Sequence, residues 1–149
     1  MSGEDFYTNV LVPTDGSGAA EAAVDHALAI SSANDATIHS IFVIDVRIAM
    51  AAEDDIRDDL IEDLREEGTA AVESIAERAE GAGVPAITRI SRGTPWKEIL
   101  EYAREASVDL IVIGTAGKTP REKRMGLGSV SERVVDDATI PVLIVPDRR

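Results

Sequence analysis

Leu110-Ile111-Val112-Ile113-Gly114-Thr115-Ala116-Gly117, resumed at Gly128-Ser129-Val130-Ser131, is the stretch whose reading decides the fold. An unbroken apolar run closed by glycine reads as a strand buried on both faces, the kind that parallel sheets contain. A loop with basic side chains follows, and order resumes at Gly-Ser before a helix. Glycine lets backbone amides approach a ligand closely, and a helix N-terminus presents unpaired N–H donors with the positive end of the dipole. Such a pairing suits a phosphate. It equally suits an ordinary strand-to-helix connection whose glycines only make turns, and spacing alone does not choose between the two.

Outward from this stretch, strand and helix alternate along the chain. Tyr7 to Val12 reads as the first strand, stopping at Pro13. A helix is expected over 17–32, with Ser17 as N-cap and Ala20, Ala23, Val24, Ala27 and Leu28 as its apolar stripe. The second strand runs from Thr37 to Ile44 and closes at Asp45. Ile56, Leu60, Leu64, Val72, Ile75 and Ala79 recur at helical spacing, predicting a long helix over 54–81 with Gly68 its weak point. Gly81-Ala82-Gly83 ends it. Pro85 to Ser91 is a short third strand, and Thr94-Pro95-Trp96 opens a helix with threonine as cap and proline first. Asp109 to Ile113, the helix Gly128 to Ala138, and Ile140 to Val145 complete the series. Strands separated by such helices imply right-handed crossovers and a doubly covered parallel sheet. Ligands then bind beyond the strands' carboxyl ends, where the winding reverses. Pro13-Thr14-Asp15-Gly16-Ser17 and Gly114-Thr115-Ala116-Gly117 both lie at such ends.

Composition narrows the function. The 149 residues are 44% hydrophobic, enough for one domain with a real core, spanning 1–149. Absence of cysteine excludes disulfides, thiolate metal sites and cysteine catalysis. No apolar run is long enough for a bilayer, and the acidic start Met1-Ser2-Gly3-Glu4-Asp5 is unlike a signal peptide, so a cytoplasmic location is expected. The formal charge of −13, from 28 acidic and 15 basic residues, repels nucleic acid. Lysine occurs only at 97, 118 and 123, and this acidic, lysine-poor surface looks like that of halophilic proteins, in which salt screens carboxylate repulsion.

Four segments, in order, carry a family resemblance: Val10-Leu11-Val12-Pro13-Thr14-Asp15-Gly16-Ser17; Val43-Ile44-Asp45; Val112 to Gly117; and Gly128-Ser129-Val130-Ser131-Glu132-Arg133-Val134-Val135 with Pro141-Val142-Leu143-Ile144-Val145. Together they resemble the universal stress protein family over the whole chain. The resemblance implies an α/β three-layer sandwich, Rossmann-like, with a five-stranded parallel sheet of order 3-2-1-4-5. It also implies a homodimer joined through the last strand, and a family with both ATP-binding and non-binding members. In ATP binders the pattern is Gly-x2-Gly, nine residues, then Gly-Ser or Gly-Thr. Carried over, Pro13, Thr14, Val43 and Ile113 would line the adenine site, and Asp15 would accept from ribose or base. Gly114 would lie near the ribose, and Gly117, Gly128, Ser129, Val130 and Ser131 by the phosphates. Serine hydroxyls can donate to phosphate or touch an accompanying Mg²⁺.

One departure stands out. Ten residues, Lys118 to Leu127, separate Gly117 from Gly128, where the family pattern has nine. An extra loop residue is thermodynamically cheap, but a phosphate cradle depends on which amides converge. Lys118, Arg121, Lys123 and Arg124 concentrate positive charge in this same loop, which would offset a polyphosphate's repulsion from an acidic protein. As plain surface they would make solvated ion pairs instead. Gly117-Lys118-Thr119 is no Walker A loop, because position 112 is valine and Pro120 prevents a helix from starting there. Catalysis has less support than binding: His26 and His39 lie on the first helix and second strand, away from the crevice, and Ser129 has no histidine partner in sequence as base. The readings are a nucleotide-binding regulator, a nucleotide-free dimeric interaction module of the same fold, and a slow ATPase.

Overall fold

In a computed structural model, residues 6–115 and 128–146 are described. Gly117 and the basic loop from Lys118 to Leu127 lie outside them. Five parallel strands, β1 (Asn9–Pro13), β2 (Thr37–Asp45), β3 (Ala86–Gly93), β4 (Leu110–Gly114) and β5 (Val142–Val145), form one sheet in the order β3-β2-β1-β4-β5. Val10 stands beside Ile38 on one side and Leu110 on the other, and Ile113 pairs with Ile144. The expected order 3-2-1-4-5 is therefore the observed one.

Period-two alternation sends neighbouring residues to opposite faces. Val10, Val12, Leu110 and Val112 pack with Ala23, Val24 and Ala27 of helix α1 (Gly18–Asn34) and with Ile75 and Ala79 of helix α3 (Asp54–Gly81). Leu11, Ile41, Ile111 and Ile113 meet Ile99, Tyr102 and Ala103 of helix α4 (Pro95–Glu105) and Val134 of helix α5 (Ser129–Asp137). Leu11, Ile38, Ile41, Ile44 and Ile111 are fully enclosed. Burial of such side chains contributes about 1.5–3 kcal/mol each relative to exposure. Arg133 of α5 lies 4.1 Å over the Trp96 ring of α4, fastening the two helices on that face.

Several boundaries differ from the sequence reading. β1 begins at Asn9 rather than Tyr7, where Asp109 receives the Thr8 and Asn9 amides. β3 runs on to Gly93, in register with β2 up to Asp45. A short helix α2 (Val46–Ala51) was not expected. Asp45, read as the end of a strand, also accepts the Arg47 amide at 2.9 Å and so caps α2. Ser17 and Thr94 occupy N-cap positions with extended backbone, yet neither hydroxyl makes a capping bond. Ile56, expected on the buried stripe of α3, is 51% exposed, because α3 reaches the sheet only further along. Gly68 is not a mere weak point: it is buried against the Phe42 ring, and a Cβ there would overlap the ring.

Candidate functional site

β1 and β4 are neighbours, and the chain winds away from them in opposite directions: β2 and β3 lie to one side, β5 to the other. No crossover helix covers the carboxyl ends at such a reversal, which leaves a crevice. The loop leaving β1 is braced by its own side chains. Thr14 Oγ1 accepts from the Gly16 amide at 3.0 Å, and Asp15 Oδ1 accepts from the Ser17 amide at 2.9 Å. These two bonds shape the turn that leads into α1; they do not replace the expected Ser17 cap, whose donors would be first-turn amides of the helix. Gly16 has φ +81°, a left-handed conformation that a side chain would strain.

Across the crevice, Gly128 is the extended N-cap of α5, followed by Ser129, Val130 and Ser131 in its first turn. The buried Ser131 hydroxyl donates to the Gly128 carbonyl at 3.1 Å, and the Glu132 amide donates to that same oxygen at 2.9 Å. The Ser131 side chain thus fixes the turn, while first-turn amides of a helix have no partner within it.

Between these segments lies a cavity of about 350 Å³, within the range for small-molecule sites. Pro13, Thr14, Asp15, Val43, Ile113, Gly114, Gly128, Ser129, Val130 and Ser131 all line it. Every described residue singled out in the sequence is brought to this one cavity; Gly117 is outside the described residues. β2 contributes both faces of its last residues, because the cavity wraps over the end of β1. Ile41 and Val43 belong to the α4 and α5 side, Phe42 and Ile44 to the α3 side.

Sequence reading missed the second half of the lining, which includes Arg47, Ile48, Leu64 and Glu67. Glu67 Oε1 stands 3.7 Å from where a Cβ on Gly16 would be. Arg47 is the one cationic side chain in the described lining, against Asp15, Asp45 and Glu67. It grips Asp45 with both arms, Nε to Oδ1 at 3.1 Å and a terminal nitrogen to Oδ2 at 2.8 Å. That bidentate contact holds the Asp45 carboxyl below the usual carboxylate range, against the opposing effect of partial burial. The Val-Ile-Asp ending of β2 was visible in the sequence, but the cap that aims Arg47 required knowledge of α2.

The two histidines stand away from the cavity. His26 is on the exposed side of α1. His39 is buried, with Nε2 2.9 Å from Asn9 Oδ1 and Nδ1 2.7 Å from the Tyr102 hydroxyl. Asn9 Oδ1 can only accept, so Nε2 carries the proton and Nδ1 accepts from Tyr102. Among the described residues, no group of three or more His, Asp or Glu side chains is placed to hold a metal ion. Nor is any described helix long and apolar enough to cross a membrane.

Sheet order and crevice define a Rossmann-like α/β fold with a cavity of small-molecule size at its point of winding reversal. Comparison with known proteins gives the family. The model of the universal stress protein family matches residues 6–146, and the chain belongs to that family. Universal stress protein MJ0531 of Methanocaldococcus jannaschii is 41% identical over 145 residues, covering 97% of this chain and 85% of the relative. The solved structure of MJ0577, a universal stress protein of the same organism, matches with a TM-score of 0.85 at 33% identity, over 96% of this chain and 98% of that one. A universal stress protein solved in complex with cAMP matches with a TM-score of 0.69 at 28% identity, over 94% and 97%.

Proposed function

We propose that the cavity binds an adenine nucleotide, ATP by its glycine pattern, and that the protein is a cytoplasmic stress-response regulator acting through ligand-dependent association. The observation that carries this reading is the convergence of an apolar wall, an acceptor carboxylate and the α5 N-terminus on one cavity of about 350 Å³. Those are the three chemistries of a nucleotide: a flat base, a hydroxylated sugar and an anionic tail. The cAMP complex of a relative supports an adenine ligand.

In this reading Pro13, Thr14, Val43 and Ile113 face the base, and the second oxygen of Asp15 takes a ribose hydroxyl. Gly114 lies by the ribose, and the α5 first turn, from Gly128 to Ser131, receives the phosphates together with Gly117. The described lining is net acidic, so the tail belongs at the α5 end, with charge compensation from Lys118, Arg121, Lys123 and Arg124. Mg²⁺ enters with the triphosphate rather than by a protein cluster. Two chains associate along β5, whose outer edge lacks a partner strand in this sheet.

Protein purified in high salt and then heated should release an adenine nucleotide, and stripped protein should bind added ATP. No released nucleotide and no ATP binding would favour the second reading, an interaction module without nucleotide, for which the ten-residue spacing speaks. Repeated turnover of ATP would move the protein to the slow-ATPase class. Light scattering in high salt tests the dimer: a monomeric mass would rule out the β5 seam.

A further inference from the structure

β3 forms one outer edge of the sheet, with eight residues against the four of β5 at the opposite edge. The Ile38 amide donates to the Pro85 carbonyl at 2.9 Å, and Ile38 stands opposite Ala86. In a parallel ladder each residue turns both of its backbone groups to one side, and sides alternate along the strand. Ile87, Arg89, Ser91 and Gly93 therefore face β2, while Ala86, Thr88, Ile90 and Arg92 point N–H and C=O groups outward. Among the described residues these outward groups have no partner, and Ala86, Ile87, Thr88, Arg89 and Arg92 are exposed. Such an edge is a template for a further strand.

Charge decides which strand it fits. Ala86 to Gly93 holds two arginines and no acid, in a chain with 28 acids and 15 bases. Among the described residues neither Arg89 nor Arg92 makes an ion pair. Arg89 lies 5.4 Å from the Tyr102 ring of α4, on the same face as Ile87, which is 49% exposed. Ile90 packs toward Phe42 on the α3 side, and alternation puts Arg92 on that face with it. The edge thus offers one guanidinium on each face of the sheet. A second copy of β3 would set four arginines together, and β5 of a second copy has no acid to meet them. We infer that the β3 edge takes up an extended acidic segment of another protein as a sixth strand. Two carboxylates three positions apart meet Arg89 and Arg92, and an apolar residue two positions outside the pair covers Ile87. β2 lies between this edge and the crevice strands, so the surface stands whether or not the cavity holds a nucleotide.

The test uses the whole chain and the fluorescent peptide Val-Thr-Glu-Thr-Thr-Glu-Thr-Val, which presents the required spacing in either strand direction. Fluorescence anisotropy should show saturable binding that weakens with salt. The same peptide with glutamine for glutamate should bind about tenfold more weakly. Two further peptides carry N-methyl groups on alternate amides, one set on each side of the strand. One of them should lose binding and the other keep it, because only one side of an added strand faces β3. Arg89→Gln/Arg92→Gln should cost about tenfold at low salt, whereas Arg65→Gln/Lys97→Gln, equal in charge and exposed elsewhere, should change little. Thr88→Pro removes one outward amide without touching the β2 ladder and should cost about tenfold with its thermal midpoint kept. If that variant fails to fold, the methylated peptides carry the same test on the unaltered chain. No binding of the acidic peptide, equal binding of the glutamine peptide or of both methylated peptides, or equal losses from the two charge variants would overturn the inference. A fall in the protein's own mass by light scattering on Thr88→Pro would also overturn it, naming a second copy as occupant.

Discussion

Gly68→Ala sets two effects of opposite sign against each other at a single carbon. In a helix interior alanine is favoured over glycine by about 1 kcal/mol, partly because glycine loses more backbone freedom on folding. At position 68, however, the added methyl would occupy the space of the buried Phe42 ring, which must move aside. Overpacking of this kind costs about 1–3 kcal/mol. Phe42 also lines the cavity, so the ring has open space to turn toward, which favours the lower part of that range. The net expectation is a loss of about 0–2 kcal/mol. Gly81→Ala supplies the reference: it too lies in α3, and nothing stands within 4 Å of its added Cβ. That variant should gain a few tenths of a kcal/mol, up to about 1. At about 2–4 °C per kcal/mol for a chain of this size, Gly68→Ala should melt roughly 1–12 °C below Gly81→Ala. Circular dichroism in high salt gives the midpoints, and urea unfolding gives the free energies. Phe42→Leu in the Gly68→Ala background should couple favourably with it, since the smaller side chain relieves the overlap. Should Gly68→Ala match or exceed Gly81→Ala in stability, the packing described for α3 on β2 is wrong.

Burial holds His39 below its ordinary value of 6.5, against the opposing pull of the Asp109 carboxylate. The unfolded chain then takes up a proton that the folded one does not. Stability should fall as pH drops below about 6.5, by at most about 1.4 kcal/mol per pH unit, until folded His39 itself titrates. His39→Gln should remove that slope in unfolding curves taken between neutral and mildly acid pH. Asp45→Asn keeps an acceptor for the Arg47 amide but loses the charged grip of Arg47, for an expected cost of about 0–1 kcal/mol at neutral pH. Because the folded Asp45 pKa is depressed, this contribution is present above 3.8 and should vanish as pH falls through the folded value. Ser31 and Ser40 bury hydroxyls that have no partner among the described residues. Serine-to-alanine changes there should leave urea-measured stability unchanged or raise it by about 1 kcal/mol, and a clear loss would reveal a hidden partner.

How much was legible in the sequence varies by region. Val10-Leu11-Val12 and Leu110 to Ile113 were readable as buried strands because a sheet covered on both faces needs apolar side chains in both directions. The cavity lining was readable wherever it rests on strand ends and glycine: Pro13 to Asp15, Gly114, and the α5 first turn. The α3 side of the cavity was not. Phe42 and Ile44 read only as residues of the second strand, and their place beside the reversal point is what makes them lining. α2 escaped notice because six residues carry too little periodicity, and Val46 to Ala51 follow a strand without glycine or proline to separate them. Ile56 fits the helical spacing of its neighbours, but spacing says nothing of where a helix runs past the edge of the sheet it packs on. His39 was readable as structural, whereas its partners Asn9 and Tyr102 come from distant parts of the chain.

The central claim is that one cavity at the carboxyl ends of β1 and β4 receives an adenine nucleotide. Amide chemical shifts of isotope-labelled, nucleotide-stripped protein, followed as ATP is added in high salt, test it most directly. Saturable shifts at Thr14, Asp15, Val43, Gly114, Ser129 and Val130, with distant amides such as those of Ile30 and Glu80 unmoved, are the predicted result. Saturable shifts elsewhere with these amides still, or none at any ATP concentration, would contradict it.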